Sequence, residues 1–177
     1  GFSVFVTSWR NPGPEAKETT LEDYVLGGVL PALEAARAIC GAPQVHAAGY
    51  CLGGTALALL LAWLAAAPVG QDARHNLVAH WSTLSTLVDF SDPGAIGAFL
   101  SPGSLDFLHE RMAATGYLDG ADMTSAFRLL RPNSLIWHYV VHSYLYGEAL
   151  APNEVLFWNC DSTRMPAAMH EFYLREL

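Results

Sequence analysis

The sequence predicts an α/β fold in which three parallel strands with crossover helices are followed by a helical region. Over residues 1–88, segments rich in β-branched and aromatic side chains alternate with long segments of helical composition. That β-α-β-α-β order is typical of a parallel sheet. From residue 89 onward the alternation stops and short helical segments replace it. We therefore predict two parts, a sheet-based core at 1–88 and a helical subdomain at 89–177.

The first strand and the first helix each have a clear local signal. Residues 2–8 are mainly β-branched and aromatic, which predicts a buried strand that ends before Asn11-Pro12-Gly13-Pro14. Thr20-Leu21-Glu22-Asp23 has the pattern of a capping box and begins a helix. The helix should end at about Cys40, because a glycine follows, and Pro31 should kink it.

The next three elements repeat the alternation. Val45 to Tyr50 is predicted as the second strand, Thr55 to Ala67 as a long helix, and Asn76 to Leu87 as the region of the third strand. All three strands are mainly apolar, so both faces of the sheet require cover. Because three strands are few and the chain begins inside a strand, we expect it to be part of a longer protein.

The second half is predicted to be helical throughout. Arg131-Pro132-Asn133 interrupts it before an aromatic-rich segment. The predicted helical segments are Gly94 to Leu100, Ser104 to Thr115, Asp119 to Leu130 and Ser134 to Tyr146.

Composition restricts the class of protein. About half of the 177 residues are apolar and 15% are charged, which is typical of a globular chain, and the net charge of −8 argues against nucleic acid as a partner. Three cysteines without a C-x-x-C pair fit a reducing, cytoplasmic compartment. The longest apolar run, Ala56 to Ala67, is shorter than the roughly 20 residues that span a bilayer, so we expect no membrane span.

The most specific motif is Gly49-Tyr50-Cys51-Leu52-Gly53-Gly54, which lies between a predicted strand and a predicted helix. A strand, a glycine-flanked turn and a helix form the nucleophile elbow of α/β-hydrolases, so the predicted fold is a partial α/β-hydrolase fold followed by a helical cap. Cys51 is the predicted nucleophile and the Leu52 backbone N–H the predicted oxyanion donor. Gly49 and Gly53 should avoid collisions with the strand and the helix. A buried structural cysteine in a tight turn is the competing interpretation.

Four strings distributed over the whole chain, in order, resemble polyhydroxyalkanoate synthases. Two of them, S-W-R-N-P and W-N-x-D-x-T-x-x-P, are long and rarely shared with other hydrolases. The Y-C-L-G-G-T form of the elbow and the M-H-E-F-Y-L-R ending look most like class I enzymes. The four strings are Ser8-Trp9-Arg10-Asn11-Pro12, Gly49 to Thr55, Leu130-Arg131-Pro132-Asn133 and Phe157 to Pro166.

The resemblance implies an acyltransferase that polymerises (R)-3-hydroxyacyl-CoA into polyester and releases CoA through a thioester on Cys51. It also implies a cytoplasmic, granule-associated homodimer that needs no cofactor. The family uses a Cys-His-Asp triad, but its acid and histidine follow the cap. We therefore assign neither residue within this chain, place the second oxyanion donor before Gly1, and expect the isolated 177 residues to be inactive.

Several histidines and acids could be mistaken for site residues. His170 lies in the cap string, so it is not expected to be the catalytic base. His138 and His142 are spaced i, i+4 but lack the glutamate of H-E-x-x-H, so no metal site is predicted. Asp89 should fix the turn from sheet to cap, and Asp161 should make a local hydrogen bond with Thr163 or the nearby backbone.

Other groups with a tempting chemistry also have simpler interpretations. His46 and His80 are expected to be structural. Trp9 and Arg10 could line an acyl-CoA entrance, but a structural role at the strand end is favoured. Aromatic side chains of the second half are expected to form cap core or a dimer surface. They are Trp137, Tyr139, Tyr144, Tyr146, Phe157 and Trp158.

Two other functions stay open. A dienelactone-hydrolase-like cysteine enzyme would explain the elbow but not the long strings. A non-catalytic piece that binds a synthase or a polymer granule would fit a chain that lacks a complete triad.

Overall fold

The computed structural model describes most of the chain as two compact units. The first comprises Gly1–Arg10, Thr19–Asp92 and Arg175–Leu177, and the second comprises Asn11–Glu18 and Pro93–Leu174. The residues described are 1–66, 73–94, 97, 100–130, 132–149, 154, 157, 158, 161 and 163–177. Arg131, Cys160 and most of the helix predicted at Gly94 to Leu100 lie outside them. The functional division at residue 88 stays a prediction.

The sheet of the first unit has two parallel strands joined by a helix. β1 (Val45–Tyr50) lies beside β2 (Val78–Leu84), and the α-helix between them, called αC, spans Leu52–Ala66. The register pairs Tyr50 with Leu84, so the carboxyl ends of both strands lie at one edge. The predicted α/β class and the predicted parallel pairing of these two segments are confirmed.

The strand predicted over residues 2–8 is wrong. Residues 1–13 contain no regular secondary structure, and Phe2, Val4 and Val6 are 81–93% exposed. An extended segment becomes a strand only when a neighbour satisfies its backbone hydrogen bonds, and no described strand pairs with this one. The sheet in the described residues therefore has two parallel strands, not three. Strand composition alone therefore does not predict whether a pairing partner exists.

The first helical region begins and ends where its capping residues predict. It consists of αA (Leu21–Tyr24), a π-helical turn (Val25–Val29) and αB (Leu30–Cys40). Thr20 Oγ1 accepts from the Asp23 N–H at 3.2 Å while Asp23 Oδ2 accepts from the Thr20 N–H at 2.8 Å, which completes the capping box. The wide turn directly precedes Pro31 in the first turn of αB, where a residue without an N–H is tolerated.

Leucine side chains, most of them on helices, form the core of the first unit. Leu60 and Leu77 are fully buried, and Leu30, Leu57 and Leu64 are 3–4% exposed. The last two and Leu60 project from αC, whose sequence carries no charged residue. Their burial fixes αC and hence the turn that precedes it.

The second unit is mainly helical, as predicted, but it also contains a short antiparallel pair. Tyr117–Leu118 (β3) pairs with Met165–Pro166 (β4). The aromatic-rich segment predicted as one helix contains two π-helical stretches, Asn133–Trp137 and Val140–Leu145. The longer α-helices among its described residues are αD (Pro102–Thr115), αE (Gly120–Leu130) and αF (Ala167–Arg175).

Two of the long motif strings meet in the second unit. The Asn11 side-chain Oδ1 accepts from the Arg164 N–H at 2.7 Å, and the Arg164 guanidinium lies 4.3 Å from the centre of the Tyr117 ring. Beneath them a small core of Met112, Leu118 and Ala167 joins αD, β3 and αF. Asn11 and Arg164 are therefore structural residues of this unit.

Candidate active site at the Cys51 turn

Cys51 occupies a strained turn between β1 and αC. Its φ is 52°, in the left-handed region that L-residues seldom adopt. Its backbone N–H donates to the Leu84 carbonyl at 2.9 Å, and its carbonyl accepts from the N–H groups of Gly54 and Thr55 at 3.0 and 3.3 Å. The side chain is exposed. A thiol held on a constrained turn and open to solvent fits a nucleophile better than a buried structural cysteine.

Close backbone contact explains one of the two predicted glycines. A Cβ on Gly49 would lie 2.5 Å from Gly54 Cα and 2.8 Å from the Gly53 carbonyl oxygen, so only glycine fits between β1 and αC. The same expectation for Gly53 is wrong, because a Cβ there would meet nothing within 4 Å. The second tight position is Gly54, where a Cβ would overlap the Thr86 side chain. The closest approach of αC to the segment after β2 is therefore at Gly54, one residue after the glycine that the motif spacing indicates.

Leu52 begins αC, so its backbone N–H belongs to the first helical turn, where no carbonyl four residues earlier is available inside the helix. The N–H groups of Gly54 and Thr55 already bond to the Cys51 carbonyl. The first turn of αC thus places the backbone N–H of Leu52 directly after Cys51, and the role of Leu52 as oxyanion donor stays a prediction.

Hydrogen bonds from the segment after β2 also stabilise the Cys51 turn. The buried Thr55 hydroxyl donates to the Leu87 carbonyl at 2.7 Å. The Thr86 hydroxyl donates to the Leu84 carbonyl at 3.1 Å, the same carbonyl that accepts from Cys51. These contacts join the start of αC to residues 84–87. Sequence analysis missed them because no local pattern indicates a contact between segments about 30 residues apart.

The acids weighed in the sequence have local surroundings. Asp89 Oδ1 accepts from the Ser91 N–H at 3.0 Å, which lowers the pKa of that exposed carboxyl. This Asx-type turn fits the predicted structural role of Asp89. The structure shows no hydrogen bond between Asp161 and Thr163, and the Asp161 backbone N–H donates to the Trp158 carbonyl at 3.1 Å. The predicted bond of Asp161 with a nearby backbone group stays a prediction, because residues 159, 160 and 162 lie outside the described residues.

Two pairs of histidines lie with their rings close together. His46 and His80 stack face to face, with centroids 5.2 Å apart, across paired positions of β1 and β2. The His138 and His142 rings are 4.4 Å apart, and His142 Nδ1 lies 2.7 Å from Glu148 Oε2. No group of three or more candidate ligands among the described residues is arranged to hold a metal ion.

His170 is a buried histidine of αF in the second unit. Its Nδ1 atom has no hydrogen-bond partner, and desolvation lowers its pKa to about 4. The next residue of the same helix, Glu171, lies 3.0 Å from His109 Nδ1 and joins αF to αD. No local sequence pattern indicates that pair, because its two residues are 62 positions apart.

An exposed cysteine on a strained strand–turn–helix junction defines an α/β protein with a candidate thiol nucleophile. Comparison with known proteins narrows this class. The poly(3-hydroxyalkanoate) polymerase of Methylorubrum extorquens is 44% identical over 175 residues, which cover 99% of this chain and 28% of that protein. The corresponding subunit of Rhizobium etli is 43% identical over 99% of this chain and 27% of its own length. The polymerase subunit of Cupriavidus necator is 36% identical over 99% of this chain and 30% of its own length.

Along 99% of its length the chain is homologous to poly(3-hydroxyalkanoate) polymerases, at 36–44% identity, as the four strings predicted. It spans about 28% of the length of the curated relatives that it matches. No family model matches it. Among the described residues, no helix combines the length and apolarity needed to cross a membrane.

Proposed function

We propose that Cys51 is the nucleophile of an acyltransferase that polymerises (R)-3-hydroxyacyl-CoA into polyhydroxyalkanoate. The observation that carries the proposal is the exposed Cys51 side chain on its strained turn, in a chain similar along 99% of its length to polymerases of this kind. Strain at a non-glycine residue persists only where the surroundings fix it, and such positions concentrate at functional sites.

The reaction would proceed through two transfers. Cys51 Sγ attacks the carbonyl carbon of the acyl-CoA thioester, the carbon–sulfur bond to CoA breaks, and the thiol of CoA leaves with a proton. The 3-hydroxyl oxygen of a monomer or chain end then attacks an acyl thioester, which forms an ester bond and releases the thiol. The Leu52 N–H would bond the oxyanion that develops in each step. A base must accept the proton of the thiol and of the hydroxyl; the family resemblance implies a histidine oriented by an aspartate.

We also propose a domain organisation, an enzyme class and an oligomeric state for the whole protein. Residues 1–88 would form part of an α/β-hydrolase core and residues 89–177 its cap. The enzyme would be a class I polymerase that acts without a cofactor as a cytoplasmic, granule-associated homodimer. Exposed aromatic side chains of the second unit, among them Trp137, Tyr144 and Tyr146, support a partner surface there.

The test is CoA release from 3-hydroxybutyryl-CoA by the full-length protein that contains this chain. Cys51→Ala should abolish release, while Cys40→Ala, which removes another exposed cysteine, should leave it unchanged. Equal activity of Cys51→Ala and wild type would refute the nucleophile assignment. Release of free hydroxy acid without polymer would instead favour a thioester hydrolase.

The isolated 177-residue chain tests the need for further residues. We expect it to release no CoA, because neither a base nor an acid of the implied triad is assigned within it. Measurable polymer formation by the isolated chain would contradict this expectation and would require a base among its own histidines.

A further inference from the structure

Two non-glycine residues among those the structure describes have a positive φ, and they occupy equivalent places in the sheet. They are Cys51, with φ of 52°, and Ser85, with φ of 49°. Tyr50 and Leu84, the last residues of β1 and β2, are partners in the parallel register. Cys51 and Ser85 are thus the first residues beyond paired strand ends, where neighbouring strands are about 4.8 Å apart. Both side chains are exposed.

The backbone conformation at Ser85 does not by itself favour serine. Glycine adopts φ of 49° without strain, and asparagine or aspartate tolerate it better than most residues. The segment around Ser85 is nevertheless well fixed. Leu84 accepts from Cys51 and Thr86, and Leu87 accepts from the buried Thr55. The surroundings therefore hold Ser85 at the strand edge, one strand away from Cys51, although another residue would adopt this turn more easily.

We propose that Ser85 is a substrate-binding residue of the Cys51 site, whose hydroxyl donates a hydrogen bond to an oxygen of the acyl group carried by Cys51. This inference rests on the proposed function. The carboxyl ends of adjacent parallel strands are where α/β proteins bind ligands. The ligand class is a hydroxyacyl thioester, whose carbonyl and hydroxyl oxygens both accept from a serine hydroxyl.

Three substitutions in the full-length protein separate the hydroxyl from the backbone. Ser85→Gly removes the hydroxyl and relieves the strain, whereas Ser85→Ala removes the hydroxyl and keeps the strain. Ser82→Ala, which removes an exposed serine inside β2, is the matched control. CoA release from 3-hydroxybutyryl-CoA measures acyl transfer. The rate of Cys51 alkylation by iodoacetamide, resolved by peptide mass spectrometry, reports whether the turn is intact.

Both Ser85 variants should lose about five- to tenfold in kcat/KM, the effect of one hydrogen bond, while alkylation of Cys51 stays at the wild-type rate. Ser82→Ala should match wild type in both assays. Any of three results overturns the proposal: wild-type kcat/KM in both Ser85 variants, a loss confined to Ser85→Ala, or a parallel loss of alkylation. If Cys51→Ala retains CoA release, the proposed function itself fails, whatever the Ser85 variants show.

Discussion

Gly49 and Gly53 flank Cys51 symmetrically in the sequence, yet the structure predicts opposite responses to alanine. At Gly49 the added methyl group would lie 2.5 Å from the Gly54 Cα atom, about 0.9 Å short of ordinary van der Waals contact. The atoms that it meets are backbone atoms at the start of αC, so no side-chain rotation relieves the overlap. At Gly53 the methyl group would enter open space.

The magnitudes follow from these two environments. Overpacking against a fixed backbone costs about 1–3 kcal/mol of unfolding free energy, so Gly49→Ala should destabilise the chain by that amount. Gly53 is a helical residue of αC, and alanine there gains up to about 1 kcal/mol because it loses less backbone entropy on folding. The two variants should therefore differ by about 1–4 kcal/mol in their free energy of unfolding.

Urea unfolding followed by far-UV circular dichroism measures the difference, with both variants made in this chain. The rate of Cys51 alkylation provides a second readout, and it should stay at the wild-type value in Gly53→Ala. Equal stability of the two variants would refute the contact between β1 and αC. A loss of more than about 1 kcal/mol in Gly53→Ala would restore the symmetric role suggested by the motif.

Three further predictions concern stability. Burial holds the folded-state pKa of His170 at about 4, below the ordinary value near 6.5. The unfolded state therefore binds a proton first as the pH falls, so the free energy of unfolding is unaffected above pH 6.5 and decreases by up to about 3 kcal/mol as the pH drops to 4. His170→Phe should flatten that part of the urea-derived profile and exposed-site His80→Gln should not; equal slopes would contradict the burial. Thr55→Val should lower the free energy of unfolding in urea by about 1–2 kcal/mol and Thr55→Ser by clearly less, because serine keeps the buried hydroxyl. Equal losses in the two variants would contradict a stabilising role of that hydroxyl. Thr20→Ala should cost about 1 kcal/mol and Thr19→Ala little; equal thermal midpoints would argue against the capping box.

Elements with signals inside their own sequence were predicted well. Val45 to Tyr50 was expected as a strand and forms β1 at those bounds, and the capping box and final glycine fix the ends of the first helical region. The strained Cys51 turn also follows from local spacing. In each case a signal among neighbouring residues indicates the conformation, even where distant partners complete it.

Elements that depend on distant partners were predicted poorly. Residues 2–8 have strand composition but no paired strand, while Tyr117–Leu118 and Met165–Pro166 form a strand pair too short to show periodicity. The tightness of Gly54 depends on Thr86, which lies on another segment. Ser85 has no motif at all, and only the register of β1 and β2 places it beside Cys51. Site residues of this kind can be identified from the pairing of the strands but not from the sequence pattern.

Among the described residues, the partners that fix the Cys51 turn lie between β1 and the end of the segment that follows β2. Its backbone N–H bonds to Leu84, its carbonyl to Gly54 and Thr55, and Thr55 in turn to Leu87. These hydrogen bonds and the close approach of Gly49 to αC define the conformation from both sides. We therefore expect the turn to keep its geometry in the isolated chain even without turnover. Thiol alkylation can then report on the turn separately from catalysis, so geometric and catalytic losses can be told apart.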